Sequence, residues 1–245
     1  MYIREMKLPV LYEDKDVVVV NKPAGLIVHP DGKNKEKSVV DWVLKEYPKA
    51  KNVGEPLILA DGTKVLRPGI VHRLDKETSG VLLITKNKKA FEFYKELFQE
   101  HEMKKVYHAF VFGELKEDEG KIDRPIGRHS SDFRLWSAQR GARGTLRDAL
   151  TEYRVIYKNK GFSFLAIKPK TGRTHQIRVH MKAINHPILG DEYYAPSHVH
   201  DLGFKRLALH AYSLSFITLK GEPVTVKAAD PADFKVAAKR IGLVK

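Results

Sequence analysis

Val71-His72-Arg73-Leu74-Asp75-Lys76-Glu77-Thr78-Ser79-Gly80-Val81-Leu82-Leu83-Ile84 sets a polar, charge-rich segment directly against an aliphatic run. The run 81–84 reads as a buried strand, because it is short, aliphatic and bounded by turn-forming residues. A loop that carries His72, Arg73, Asp75, Glu77, Thr78 and Ser79 beside such a strand is where a rigid scaffold presents a reactive group. On composition alone, a solvated turn whose charges do nothing reads equally well.

Working outward, Val17-Val18-Val19-Val20 is a second β-branched run, stopped by the turn chemistry of Asn21-Lys22-Pro23-Ala24-Gly25. It predicts another buried strand, with 26–29 as a short extension. Ser38 is placed to cap a helix running to Tyr47, with Asp41 in its first turn. The stretch 48–69 reads as a loop or short hairpin. Asn87 caps a further helix in which Ala90, Phe91, Tyr94, Leu97 and Phe98 share one face. The segment 106–112 alternates, Tyr107, Ala109 and Val111 on one side and Val106, His108, Phe110 and Phe112 on the other. Residues 119–147 are polar, with no sustained period. The segments 152–157 and 162–168 predict a hairpin around Asn159-Lys160-Gly161. Thr174 is expected to cap a short helix burying Ile177, Met181 and Ile184, and 208–217 and 224–228 close the chain as strands. Strands interleaved irregularly with few helices predict an α+β domain around a mostly antiparallel or mixed sheet, read here as one domain over 1–245.

The charge balance is the unusual feature of the composition. There are 44 Lys and Arg against 30 Asp and Glu, a formal net charge of +14, and the pI is about 9.7. Such a field draws in polyanions and points to nucleic acid or an anionic membrane surface. The absence of cysteine excludes disulfides, thiolate catalysis and Cys-ligated zinc. The N-terminal stretch has no signal-like apolar core, and no aliphatic run approaches the length of a membrane span. A cytoplasmic, monomeric protein is the expectation.

The loop takes on meaning through a resemblance. His72-Arg73-Leu74-Asp75, then Thr78-Ser79-Gly80 and four apolar residues, is similar to the signature of the RluA-type pseudouridine synthases. Further blocks follow in the same order. The run into Asn21-Lys22-Pro23-Ala24-Gly25 resembles that family's opening strand and turn. Lys105-Val106-Tyr107-His108-Ala109 resembles the strand of its active-site tyrosine. The segment from Gly172 through Arg173-Thr174-His175-Gln176-Ile177-Arg178-Val179-His180, with His186-Pro187-Ile188-Leu189-Gly190-Asp191, resembles the stretch bearing its active-site arginine. Arg206-Leu207 with Leu209-His210-Ala211 resembles a later core strand. Ordered blocks are far more specific than one short motif.

The resemblance implies an RNA-modifying isomerase with the pseudouridine synthase fold, acting on uridine in ribosomal or transfer RNA without a cofactor. It implies Asp75 as the nucleophile, whether the carboxylate adds to the base, adds to C1′ or promotes a glycal-like intermediate. Arg178 is the cation it supplies, with a planar fork able to hold both carboxylate oxygens. Tyr107 stacks on the extruded uracil and assists proton transfer at C5, and Ile177 packs against the pocket floor. The base must leave its stack, and Arg73 fills the vacated space or holds the backbone. Lys168, Arg173, Thr174, His175 and His180 grip phosphates and riboses, and His72 and Thr78 complete the substrate-binding set.

No metal is expected, because the histidines show no ligand spacing. The sequence Thr171-Gly172-Arg173-Thr174 lacks the ending of a nucleotide-binding P-loop. The stretch 130–148 departs from the family's usual lysine-rich connection, and Ile217-Thr218-Leu219 stands where many relatives carry His-Pro. Both bear on the choice of RNA. No separate N-terminal RNA-binding module is expected. Two rival readings are a non-catalytic RNA-binding protein on the same scaffold and a basic accessory protein for ribosome assembly.

Overall fold

The computed structural model describes residues 6–30, 36–59, 62, 64–132, 134–139, 142–198 and 200–244. Along the chain run β1 (Val10–Glu13), β2 (Val17–Lys22), α1 (Val39–Glu46), β3 (Leu57–Ile58), β4 (Lys64–Val65), β5 (Ser79–Thr85), α2 (Lys88–Gln99) and β6 (Lys104–Phe112). There follow β7 (Glu119–Asp123), β8 (Ile126–Arg128), β9 (Trp136–Ser137), β10 (Arg143–Arg147), β11 (Leu150–Asn159), β12 (Phe162–Pro169), α3 (Gln176–Ala183), β13 (Leu209–Ile217), β14 (Pro223–Lys227) and α4 (Ala232–Ile241). This is an α+β chain. It divides into two compact units, Met1–Met103 with Ser213–Ala228, and Lys104–Tyr212 with Ala229–Lys245.

In the first unit, β2 lies between β1 and β5, antiparallel to both, with Val18 opposite Ile84 and Val20 opposite Leu82. Both aliphatic runs are buried throughout, so their lack of alternation reflects a sheet covered on two faces. Ser38 and Asp41 form a reciprocal capping box on α1. Asn87 caps α2 through the Ala90 N–H, while its amide also donates to Asp16. The hairpin expected within 48–69 is present as β3 and β4, preceded by a 3-10 turn over Pro48–Asn52. The strand β1 lies outside what the sequence pattern marked.

In the second unit, β6, β12, β11 and β7 are successive antiparallel neighbours. The turn joining β11 and β12 places Lys160 and Gly161 at φ 56° and 78°, the left-handed pair that matches the twist of a two-residue hairpin. The alternation read in 106–112 gives way to continuous burial from His108 to Val111. Residues of both faces of β6 are buried there: Phe110 stacks on Phe164, and Ala109 and Val111 lie in the same core. The polar stretch 119–147 is not a plain loop. It holds β7 and a separate small sheet in the order β10, β8, β9. The helix α4, unmarked in the sequence reading, packs Phe234, Ala237 and Ile241 into the core of this unit.

The helix α3 begins one residue later than a Thr174 cap requires. Its N-cap position is His175, at φ 55°, and no side chain caps it. Thr174 is exposed. The turn is instead organised from inside by Gln176. Its Oε1 accepts from Thr171 Oγ1 at 2.6 Å and from the Arg173 N–H at 3.0 Å, while its Nε2 donates to Leu150 O and Thr151 Oγ1. A buried amide that can both donate and accept satisfies this backbone better than a surface hydroxyl could.

His180 is wholly buried, so it cannot grip a phosphate as the sequence reading had it. Its Nε2–H must donate to the Arg124 carbonyl, which leaves Nδ1 to accept from the Thr151 hydroxyl. That tautomer is neutral, and burial, the largest influence, pushes the imidazole below its ordinary range. The unfolded ring therefore takes up a proton at higher pH than the folded one. The stabilisation is whole above the ordinary histidine value and drains away as pH falls below it. Urea unfolding midpoints should drop between pH 7.5 and pH 5, and His180→Gln should be less stable at pH 7.5 but show a flatter pH dependence. Parallel profiles for the two proteins would refute this.

Candidate active site

Asp75 stands at the first position of a turn in the first unit, where its carbonyl accepts the Thr78 N–H at 3.1 Å. It is half-buried, between buried Leu74 and exposed Lys76. The turn is locked to the one that follows β2. The Lys76 carbonyl accepts from the Gly25 N–H at 2.9 Å and from Lys22 Nζ at 3.0 Å. Lys22 is fully buried, and its ammonium also donates to the carbonyls of Pro23 and Leu26. Gly25 adopts φ 81°, which favours glycine at this turn.

The other candidates of this unit have different surroundings. His72 Nε2 accepts the Leu83 N–H at 3.0 Å, and the ring stacks on Phe98 with centroids 4.3 Å apart. One nitrogen and one ring face are thus committed to the fold. Thr78 is buried within the turn, and Arg73 is exposed.

The remaining candidates lie in the second unit. Tyr107, on β6, and Ile177, on α3, pack into the same hydrophobic core. Arg178 is buried on α3 and forms a two-pronged ion pair with Asp191, Nε to Oδ2 at 2.7 Å and NH2 to Oδ1 at 2.9 Å. Asp191 Oδ1 also accepts the backbone N–H groups of Tyr193 and Tyr194. The Arg178 Cζ lies 5.0 Å from the centre of the Tyr194 ring and 5.8 Å from that of Tyr193. Five N–H groups radiate from a guanidinium, and Asp191 engages two of them. The fork is therefore fixed in plane by Asp191.

Asp191 follows directly from the course of the chain. The segment 187–189 runs beside the end of β6, with the Phe112 N–H donating to Pro187 O and the Leu189 N–H to Phe110 O. Gly190 then turns at φ 70°, where a Cβ would run into the Arg206 carbonyl. The Tyr194 hydroxyl accepts the Trp136 N–H and lies 3.0 Å from His175 Nδ1. Tyr194 thereby joins the small β10–β8–β9 sheet to the start of α3. Arg128 stacks its guanidinium 4.1 Å from the centre of the Trp136 ring on that sheet, whose strand β10 is exposed along its whole length. Arg173 is pinned to Asp148 O through its Nε, and Lys168 is exposed on β12. Sequence reasoning placed Asp191, Gln176 and Lys22 in recognised blocks but gave them no role, and it passed over Tyr194. An acid just after a tight Gly turn was the available signal.

Among the described residues, no three His, Asp or Glu side chains converge as metal ligands, and no helix is long and apolar enough to cross a membrane. Residues 16–183 match the family model described as RNA pseudouridylate synthase. An RNA pseudouridine synthase of Aquifex aeolicus is 40% identical over 236 residues, covering 92% of this chain and 70% of the relative. The ribosomal large subunit pseudouridine synthase D of Borreliella burgdorferi is 42% identical over 217 residues, covering 86% and 62%. The solved structure of human RNA pseudouridylate synthase domain containing 1 shares 29% identity with a TM-score of 0.72, over 92% of this chain and 84% of that one. On these matches the chain belongs to the RNA pseudouridylate synthases, isomerases that convert uridine in RNA to pseudouridine.

Proposed function

We propose that this chain isomerises uridine in large-subunit ribosomal RNA, with Asp75 as nucleophile, Arg178 as the fixed donor that holds its carboxylate, and Tyr107 as the ring stacked on the extruded base. The observation that carries the reading is the Arg178–Asp191 pair. A guanidinium locked in plane by a buried carboxylate presents its charge and its N–H groups in a fixed direction, which suits it to align a carboxylate. The name of the Borreliella burgdorferi relative supports the choice of RNA.

The balance of the reaction is simple. The N1–C1′ bond of uridine breaks, C5 bonds to C1′, the C5 proton leaves to solvent and N1 takes up a proton. Nothing is oxidised and no group is imported, so the chain's own side chains suffice. Base extraction costs a few kcal/mol. Arg73, Lys168, Arg173, Thr174 and His175 supply the contacts that offset it, and the exposed β10 strand with Arg143 and Arg147 adds an electrostatic footing for the RNA. His72 is left to its role in the fold.

Three experiments test the assignment. Asp75→Asn keeps shape but removes the charge, so tritium release from 5-tritiated uridine in ribosomal and transfer RNA should vanish while RNA binding persists. Near wild-type release would remove Asp75 from the mechanism. Parallel arms with the two RNAs decide the substrate: release confined to transfer RNA overturns the ribosomal assignment.

Activity should survive exhaustive chelation on an RNA that keeps its fold. Loss that zinc alone restores would return the histidines to consideration.

Arg178→Lys keeps the charge and loses the two-pronged geometry. Its single-turnover rate at saturating enzyme should fall steeply, with a modest loss of affinity. Arg173→Ala should show its larger effect on binding, flattening the salt dependence by about one contact. A saturated Arg178→Lys rate equal to wild type, with binding lost, would make Arg178 a phosphate clamp.

A further inference from the structure

Two arginines and a histidine of the first unit influence one another with no carboxylate paired to them among the described residues. His29 comes from the segment after the Lys22 turn, held where the Val39 and Val40 N–H groups donate to Ile27 O and Val28 O. Arg67 comes from the turn before β5, held by the Gly69 N–H to Val53 O and by Thr85 to Gly69 O. Arg73 lies two residues before Asp75. Their charges act on one another: burial and then Arg67 and Arg73 push His29 down to about 4, and burial and then Arg73 lower Arg67. The Nε of Arg67 is buried and has no hydrogen-bond partner. Among the described residues, none of the three pairs with a carboxylate.

An orphaned, buried guanidinium N–H beside like charges is costly unless something arrives to satisfy it. An oxyanion with several acceptor oxygens fits, and the planar arginine fork suits a phosphate. We propose that His29, Arg67 and Arg73 form a phosphodiester-binding site that holds the RNA backbone close to the target nucleotide. The proposal rests on RNA being the substrate and assigns Arg73 to backbone holding instead of space filling. It places a phosphate contact on the rigid part of the unit that carries Asp75, where it fixes the register of the strand before the base is drawn out.

Arg67→Met is the informative variant. Filter binding to substrate RNA across a potassium chloride series should show affinity reduced several-fold and a salt slope smaller by about one contact. The free variant should melt no lower than wild type, because an uncompensated cation has gone. An arginine that merely supports the fold would give the reverse: a lower midpoint and an unchanged slope. A second measurement needs no variant. The His29 ring, followed by NMR, should titrate at higher pH when a short single-stranded RNA is bound, since a nearby anion favours its charged form. Inorganic phosphate at equal phosphate concentration should move it less. A His29 titration blind to RNA, a wild-type salt slope in Arg67→Met, or a response to inorganic phosphate alone would each overturn the site. Asp75→Asn separates this from the catalytic assignment. If that variant stays active while Arg67→Met loses its contact, only the nucleophile is misassigned.

Discussion

A buried ammonium holds the Asp75 turn in place. Lys22 is wholly out of water and donates to three carbonyls, those of Pro23, Leu26 and Lys76. Removing an ammonium from water costs several kcal/mol even after relaxation, and only charge-assisted bonds to well-placed oxygens offset it. Those oxygens belong to two turns far apart in sequence, one closing β2 and one carrying Asp75. Satisfying a single charge therefore fixes two loops at once. The Gly25 N–H, bonded to the same Lys76 carbonyl, leaves that turn little freedom to shift. The proposed nucleophile would need alignment to within a fraction of an ångström, and the position of its turn is inherited from a charge that cannot be left unsatisfied.

The second unit applies the same constraint with the opposite pairing. Arg178 and Asp191 are both buried, and the carboxylate collects two bonds from the guanidinium and two from backbone N–H groups. Breaking such a pair from one side costs about 3–5 kcal/mol, which makes the arrangement rigid in practice. The tyrosine rings against the guanidinium limit its tilt, and Tyr194 carries that restraint to the small sheet through Trp136. The small sheet that carries the exposed strand β10 is thus tied to the buried Arg178. The His29, Arg67 and Arg73 cluster completes the contrast: there a buried Arg67 Nε has no hydrogen-bond partner, a cost that fits a polyanionic substrate.

The local pattern of the sequence was sufficient where one interaction dominates. Four consecutive valines and the run 81–84 are buried strands because nothing but burial suits them. Ser38 and Asn87 cap helices because a short side chain before an apolar period has an immediate backbone partner. The pair Lys160 and Gly161 turns a hairpin because few other conformations connect two adjacent twisted strands. The pattern was insufficient where several partners compete. Thr174 was an acceptable cap locally, yet Gln176 reaches Leu150 and Thr151, residues that sequence spacing cannot bring near.

By itself the sequence determined the α+β class, the polyanion-seeking charge and the ordered blocks that mark an RNA pseudouridylate synthase, since these depend on composition and on short-range order. Tertiary structure decided which atoms satisfy each buried polar residue. His180 and His72 look like Arg178 on paper, as polar residues in a marked block. Only their long-range partners separate them: Arg124 and Thr151 for His180, Leu83 and Phe98 for His72, Asp191 for Arg178. A buried polar group is defined by the atoms that satisfy it, and folding chooses those atoms from anywhere along the chain.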